Sequence, residues 1–402
     1  MRTIKSMQIG LIVLTVAFLS NCSKGGGSPQ PTITQPRVSI NDVTKAEGNS
    51  GVTQFIFNVT LDKSSTQEIS VNYSVTAGTA KVNEDYTHSV QSISFAPNET
   101  QKTITVNVVA DDVKESDEEF TVTLLNALNA VLYKTAGLGV IQNDDTRIGF
   151  TNAGYEAPTS YAGYSLSWAD EFNGPSLNTA IWSHENGDGC PGNCGWGNNE
   201  LEYYTDRADN LFFQDGKLII EARKENYAGK TYTSSKILTR GKKMIKFARI
   251  DIRAKLPKGK GIWPAFWMMP QNNVFGGWPR SGELDIMEVV GHEPHKTHGT
   301  LHFGPGPGST QLGGNYSLPS GTFNDEFHVF SVEWKQDQIK WLVDGVVFST
   351  HTKAEFGTNN YPFNEEFYLI FNLAVGGNWP GNPDSSTVLP QWLIVDYVRV
   401  YQ

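Results

Sequence analysis

Charged residues make up only 18% of this 402-residue chain, and the balance is acidic: 32 Lys and Arg against 42 Asp and Glu, a net charge of −10. Without clustered cations a chain cannot hold a phosphate backbone in the usual way, so no nucleic-acid partner is expected and a neutral polymer suits the surface better. Three cysteines are too few for a disulfide framework or a four-thiolate zinc site, and the histidine spacings do not make a metal site. Long apolar runs are missing as well. The run from Ile9 to Leu19 is about half of the roughly 20 residues that a membrane-crossing helix needs.

That short run follows Arg2 and Lys5 and ends at Leu19-Ser20-Asn21-Cys22, so residues 1–21 read as an export signal. The end resembles a bacterial lipoprotein box, with Cys22 as the lipidated first mature residue and Asn21 in place of the usual small residue. The expected location is outside the cell, either secreted or as a bacterial outer-membrane or cell-surface lipoprotein, with the membrane met only through that N-terminal anchor. Residues 22–37, rich in Gly, Ser, Pro and Thr, read as a flexible linker. Cys190 and Cys194 then remain as either a local disulfide or a free pair.

What is abundant points to an all-β chain. Glycine occurs 39 times, and Val, Ile, Thr, Tyr, Phe and Trp recur in short alternating runs. A length of 402 residues calls for more than one core. From 38 to 146, runs such as Phe55-Ile56-Phe57-Asn58-Val59 and Thr103-Ile104-Thr105-Val106-Asn107-Val108 alternate with period two between polar turns, which predicts a small immunoglobulin-like β-sandwich. Glu84-Asp85-Tyr86, Ala110-Asp111-Asp112 and Ile141-Gln142-Asn143-Asp144-Asp145 resemble a Calx-beta domain. The resemblance implies a calcium site, with Glu47, Asp85, Asp112, Glu115 and Asp145 as candidates; solvated loop charge on an acidic module explains the same residues equally well.

Residues 147–161 lack periodicity and read as a linker. Beyond them, in 162–402, lie all ten tryptophans, the residues a sugar-binding cleft uses for stacking and a core uses for filling. The informative stretch is Glu283-Leu284-Asp285-Ile286-Met287-Glu288. In a regular strand Glu283 and Asp285 share one face, and Glu288 falls on the other. A β-bulge at Ile286-Met287 absorbs one residue and returns Glu288 to the acidic face, and bulges are over-represented beside active sites. Crowded carboxylates raise one another's pKa and keep a proton donor near neutral pH, which glycosidic hydrolysis requires.

This stretch resembles the bulged signature of glycoside hydrolase family 16. Trp196-Gly197-Asn198-Asn199-Glu200-Leu201-Glu202-Tyr203-Tyr204, Gly261-Ile262-Trp263-Pro264-Ala265-Phe266-Trp267 and Asn372-Leu373-Ala374-Val375-Gly376-Gly377-Asn378-Trp379 are similar to its laminarinase branch. The resemblance implies a concanavalin-like β-jelly roll that cuts β-1,3-glucan internally with retention, acts as a monomer and uses no cofactor in catalysis. It makes Glu283 the nucleophile, Glu288 the acid and base, and Asp285 their partner. Trp263, Trp267, Trp278, Arg280, His302, Asn199 and Trp379 are the candidate substrate contacts. Glu171 and Gly216, by backbone oxygens, and Asp396, by its side chain, are the implied holders of a structural calcium. The alternatives are a hydrolase of mixed-linkage β-glucan or algal galactan within the same family, and a non-catalytic lectin.

Overall fold

A computed structural model describes residues 35–88 and 91–402, so the export signal and Cys22 lie outside the described residues. The chain divides after Thr146 into two compact units.

The first unit is a sandwich of two five-stranded sheets. One runs Tyr86–Thr87, Gln101–Ala110, Gly51–Leu61, Arg37–Ile40, Val131–Lys134; the other runs Val43–Ala46, Ala136–Gln142, Glu118–Leu128, Ile69–Ala77, Gln91–Phe95. Alternation puts every second side chain inside: Phe55, Phe57 and Val59 meet Ile104, Val106 and Val108, and from the facing sheet Val71, Phe120 and Val122. Gly139 is small by necessity, because a Cβ there would lie 2.4 Å from the Phe120 ring.

The second unit is a larger two-sheet sandwich. Its outer sheet has ten strands and includes Lys217–Tyr227, Gln391–Tyr401, Ala248–Lys255, His328–Lys335 and Gln338–Val343 side by side. The other sheet has eight, with Ser183–His184, Lys236–Leu238, Phe367–Val375, Ile262–Pro270, Glu283–Glu288, Lys296–Phe303 and Thr310–Ser317 in that order. Between them lies one continuous core to which both sheets contribute, including Ile250, Val332, Trp341, Phe266, Leu284 and Leu301. Because that core takes alternate residues of each strand, the remaining residues of the eight-stranded sheet face away from it.

Residues 147–161, read as a linker, instead lie against the second unit. Ile148 is buried with Ile219, Phe327 and Ile394, and the Arg253 guanidinium donates to the carbonyls of Asn152 and Tyr155 at 2.9 and 2.8 Å. A segment held by single buried side chains, side-chain-to-backbone bonds and one isolated bridge between Gly154 and Phe327 carries no period for a sequence reading to find.

Candidate active site

The strand Glu283–Glu288 has one residue more than its neighbours. Against Ile262–Pro270 its partners are Met268↔Leu284, Trp267↔Asp285, Phe266↔Met287 and Ala265↔Glu288, so Ile286 has no opposite number. On the other side Asp285 faces Thr300 and Glu288 faces His298, with the same extra residue between them. The expected bulge is present. Leu284, Ile286 and Met287 all enter the core, whereas Glu283 and Glu288 line a cleft on the opposite face.

The core holds this bulge in place. A bulge breaks the ladder and frees a carbonyl; here the Asp285 carbonyl accepts a hydrogen bond from the buried Trp341 indole of the other sheet, at 2.7 Å. Room for that indole comes from Gly299, where a Cβ would sit 2.2 Å from the Trp341 ring. A tryptophan and a glycine remote from the cleft therefore support the kink that turns Glu288.

Each glutamate carries an indole partner. Trp278 Nε1 donates to Glu283 Oε2 at 2.6 Å, and Trp263 Nε1 donates to Glu288 Oε1 at 3.2 Å. His302 Nε2 lies 3.1 Å from Asp285 Oδ2 and 4.0 Å from Glu283 Oε1. Its Nδ1 meets Ser309 Oγ at 2.9 Å. Burial, then the Asp285 charge, pushes Glu283 up to about 8, an effect that His302 and the Trp278 bond oppose. Asp285 is likewise pushed up to about 8 by burial. Glu288 is raised well above the usual carboxylate range by burial and then by the charges of Asp285 and Glu283. Both acids are therefore raised, Glu288 further than Glu283: Glu288 keeps a proton to give, while His302 and the Trp278 bond pull Glu283 part of the way back toward its anion.

The cleft measures about 1070 Å³, just above the roughly 300–1,000 Å³ of ordinary ligand pockets. Trp263, Trp267, Trp278, Trp379 and His302 line it as the sequence indicates. Trp278 and Trp379 are 51% and 42% exposed, as stacking surfaces must be. Two expected contacts are elsewhere. Arg280 is not among the lining residues; it is exposed and its Nε donates to the Pro305 carbonyl at 2.8 Å, tying two loops together. Asn199 adopts a left-handed backbone, φ 58°, which aims its amide at Asn378 Oδ1, 2.7 Å away; Asn198 lines the cleft in its place.

The residues missed by sequence reasoning include Asn193, Trp196, Asn198, Met269, His298 and Gln311. Met269, His298 and Thr300 were within reach of alternation, being two residues from Trp267, Thr300 and His302 on their strands. Asn193 belongs to the loop closed by Cys190 and Cys194, which form a disulfide, and Trp196 to the short turn Cys194–Gly197 that follows it; such irregular segments have no period to read.

Three groups of acids and histidines among the described residues bring ligand atoms within 4.8 Å of one another. One is Glu283, Asp285 and His302, the catalytic candidates. The others are in the first unit: Glu47 with Asp144 and Asp145, and Asp85 with Glu115 and Glu118. Asp112 belongs to neither. Glu47 is pushed up to about 7 by burial and then by Glu115, Asp111, Asp145 and Asp144, and the buried Asp145 Oδ2 has no hydrogen-bond partner. A hard dication fits such a set. In the second unit the implied calcium set differs in its one charged donor. Asp396, the one side chain that the resemblance assigns to it, pairs with Lys217 at 2.8 Å and Arg253 at 2.6 Å, so cations already match that carboxylate; Glu171 and Gly216 were to offer only backbone oxygens.

Comparison with known proteins agrees with this geometry. Residues 35–146 match the Calx-beta domain and residues 196–392 match glycosyl hydrolases family 16. A beta-glucanase of Rhodothermus marinus is 41% identical over 267 residues, covering 63% of this chain and 91% of the relative. A glucan endo-1,3-beta-glucosidase A1 of Niallia circulans is 45% identical over 263 residues, and there the chain spans only 38% of the relative's length. The laminarinase catalytic domain of Thermotoga maritima superposes with a TM-score of 0.56 at 45% identity, covering 60% of this chain and 98% of that one. With its bulged carboxylate strand, its aromatic cleft and these relatives, the chain belongs to glycosyl hydrolases family 16, as a glycoside hydrolase preceded by a Calx-beta domain.

Proposed function

We propose that the second unit is a retaining endo-β-1,3-glucanase acting on laminarin-type glucans. The observation that carries the reading is the placement of Glu283 and Glu288 on one cleft face, with Glu288 the more strongly raised of the two acids. Glu288, as the acid, passes its proton to the glycosidic oxygen while the Glu283 carboxylate attacks the anomeric carbon, breaking the C–O bond and forming a glycosyl ester. Glu288, now a carboxylate, takes a proton from water, whose oxygen attacks the same carbon and frees Glu283. Trp278 and His302 stabilise the anion at Glu283 before attack and after release. An open cleft with exposed tryptophans favours cutting within a chain, and the names of the relatives favour the β-1,3 linkage.

The test is product analysis on laminarin, lichenan and agarose, with anomer-sensitive NMR, for the parent and Glu283→Ser. Rapid shortening of laminarin with β-anomer products from the parent alone supports the reading. Inversion, full activity in Glu283→Ser, or no cleavage of laminarin overturns it. We further propose that the first unit takes calcium at Glu47, Asp144 and Asp145 and at Asp85, Glu115 and Glu118, as a stabilising rather than a catalytic ion. The N-terminal signal completes the reading as an exported monomer, secreted or held to the surface by a lipid on Cys22.

A further inference from the structure

Beneath the cleft lies a second pair of glutamates that hydrolysis does not use. Glu200 is 7% exposed and Glu202 not at all. Glu202 Oε2 accepts the Val375 amide at 2.7 Å, whereas its Oε1 finds no donor among the described residues. The Glu202 carboxyl interacts with the Glu200 carboxylate, both by charge and by a side-chain hydrogen bond. Two carboxylate oxygens facing each other in a dry site need a proton between them. Burial raises both acids, and the Glu200 charge lifts Glu202 further, while their mutual hydrogen bond raises Glu202 and lowers Glu200; the proton therefore stays on Glu202 and is donated to Glu200.

Glu200 collects the remaining bonds, and each leads to a cleft wall. Its Oε1 accepts from Asn198 Nδ2 at 3.3 Å, and Asn198 lines the cleft. Its Oε2 accepts from the Tyr204 hydroxyl at 3.3 Å. That hydroxyl accepts from Asn372 Nδ2 at 3.0 Å, and Asn372 Oδ1 accepts from the Trp267 indole at 2.7 Å. Lys236, whose Nζ lies 4.0 Å from the centre of the Trp196 ring, is the cation nearest in effect to Glu200. One carboxylate therefore fixes the Asn198 rim directly and the Trp267 wall through two relays.

We propose that Glu200 is a positioning residue for substrate: as a three-fold acceptor beneath the cleft it sets the places of Asn198 and Trp267, with Glu202 serving as the neutral donor that completes it. This rests on the reading of the cleft as a glucanase site, and it predicts an asymmetry between two like substitutions. Glu202→Gln mimics the neutral acid, its amide oxygen accepting from Val375 and its NH2 donating to Glu200. Glu200→Gln puts an NH2 where donors already converge, and at least one relay breaks.

The experiment measures kcat and KM on laminarin for the parent, Glu200→Gln, Glu202→Gln, Glu202→Ala and Tyr204→Phe, with near-ultraviolet circular dichroism of each. Glu200→Gln and Tyr204→Phe are expected to raise KM about tenfold with kcat within about threefold, since neither touches Glu283 or Glu288. Glu202→Gln is expected to stay within about twofold of the parent in KM and to rescue the loss seen in Glu202→Ala. A parental KM in Glu200→Gln, or a Glu202→Gln as impaired as Glu200→Gln, overturns the proposal. Should Glu200→Gln not fold, Tyr204→Phe decides, because it cuts only the Trp267 relay. If the parent does not cleave laminarin, the function reading has failed by itself. The dichroism then still decides: a tryptophan signal altered in Glu200→Gln and unaltered in Glu202→Gln supports the positioning role, and any other pattern refutes it.

Discussion

Replacing Trp341 by Phe tests whether the core, rather than the cleft, holds the catalytic strand in its bulged form. The indole bond to the Asp285 carbonyl would be lost inside a dry core where Trp341 is fully buried. An orphaned buried acceptor costs about 1–3 kcal/mol, and the gap left beside Gly299 adds roughly 1 kcal/mol. A loss of about 3 kcal/mol in a unit of this size lowers Tm by roughly 6–12 °C. The kinetic effect is separate. With its carbonyl unheld the bulge relaxes, and a displacement of about 1 Å in a reacting group costs on the order of a hundredfold in rate. The expected result is a kcat reduced about 10- to 100-fold with KM little changed, measured on laminarin well below the new Tm. Trp334→Phe is the control, since that indole makes a 2.7 Å bond to the Phe363 carbonyl, which is not on the carboxylate strand. It should cost similar stability and leave kcat alone. Equal kcat losses in the two variants, or a parental kcat in Trp341→Phe, refutes the reasoning.

Deleting Ile286 removes the residue without a partner, so that Met268↔Leu284, Trp267↔Asp285, Phe266↔Met287 and Ala265↔Glu288 become a regular ladder with both glutamates still on the cleft face. The variant should fold with reduced stability and keep measurable laminarin cleavage, whereas deleting Leu284 turns Glu283 into the core and abolishes it. Glu283→Gln should be inactive yet more stable than the parent at pH 8 in denaturant titrations. The parent retains a proton on Glu283 from an ordinary 4.5 up to about 8 that its unfolded chain releases, so its stability falls as pH rises across that window. The variant escapes that fall, and its advantage should vanish below pH 4.5. Calcium should raise the unfolding temperature of the first unit and EDTA lower it, read by calorimetry; Glu47→Gln with Asp145→Asn should reduce the response, and adding Asp85→Asn with Glu118→Gln should abolish it.

Much of this protein follows from local chemistry. Period-two alternation is enough to specify strands and their buried faces, as at Phe55, Phe57 and Val59, because side-chain direction in a strand depends only on position. Three acids on one strand, spaced so that only an added residue brings them to one face, specified the bulge as well, and aromatic residues around them marked the cleft. Other features depended on groups distant in sequence. Arg280 left the cleft because a carbonyl at Pro305 was in reach, and Asn199 yielded its place to Asn198 through one left-handed residue. Asp396, an acid that the sequence offers to a metal, is paired with Lys217 and Arg253. The hold of Trp341 on Asp285 and the shared proton of Glu200 and Glu202 have no sequence signature at all. The first needs two distant segments brought together, the second two near neighbours enclosed by other strands; both need a space that excludes water, and only the packed sandwich creates that space.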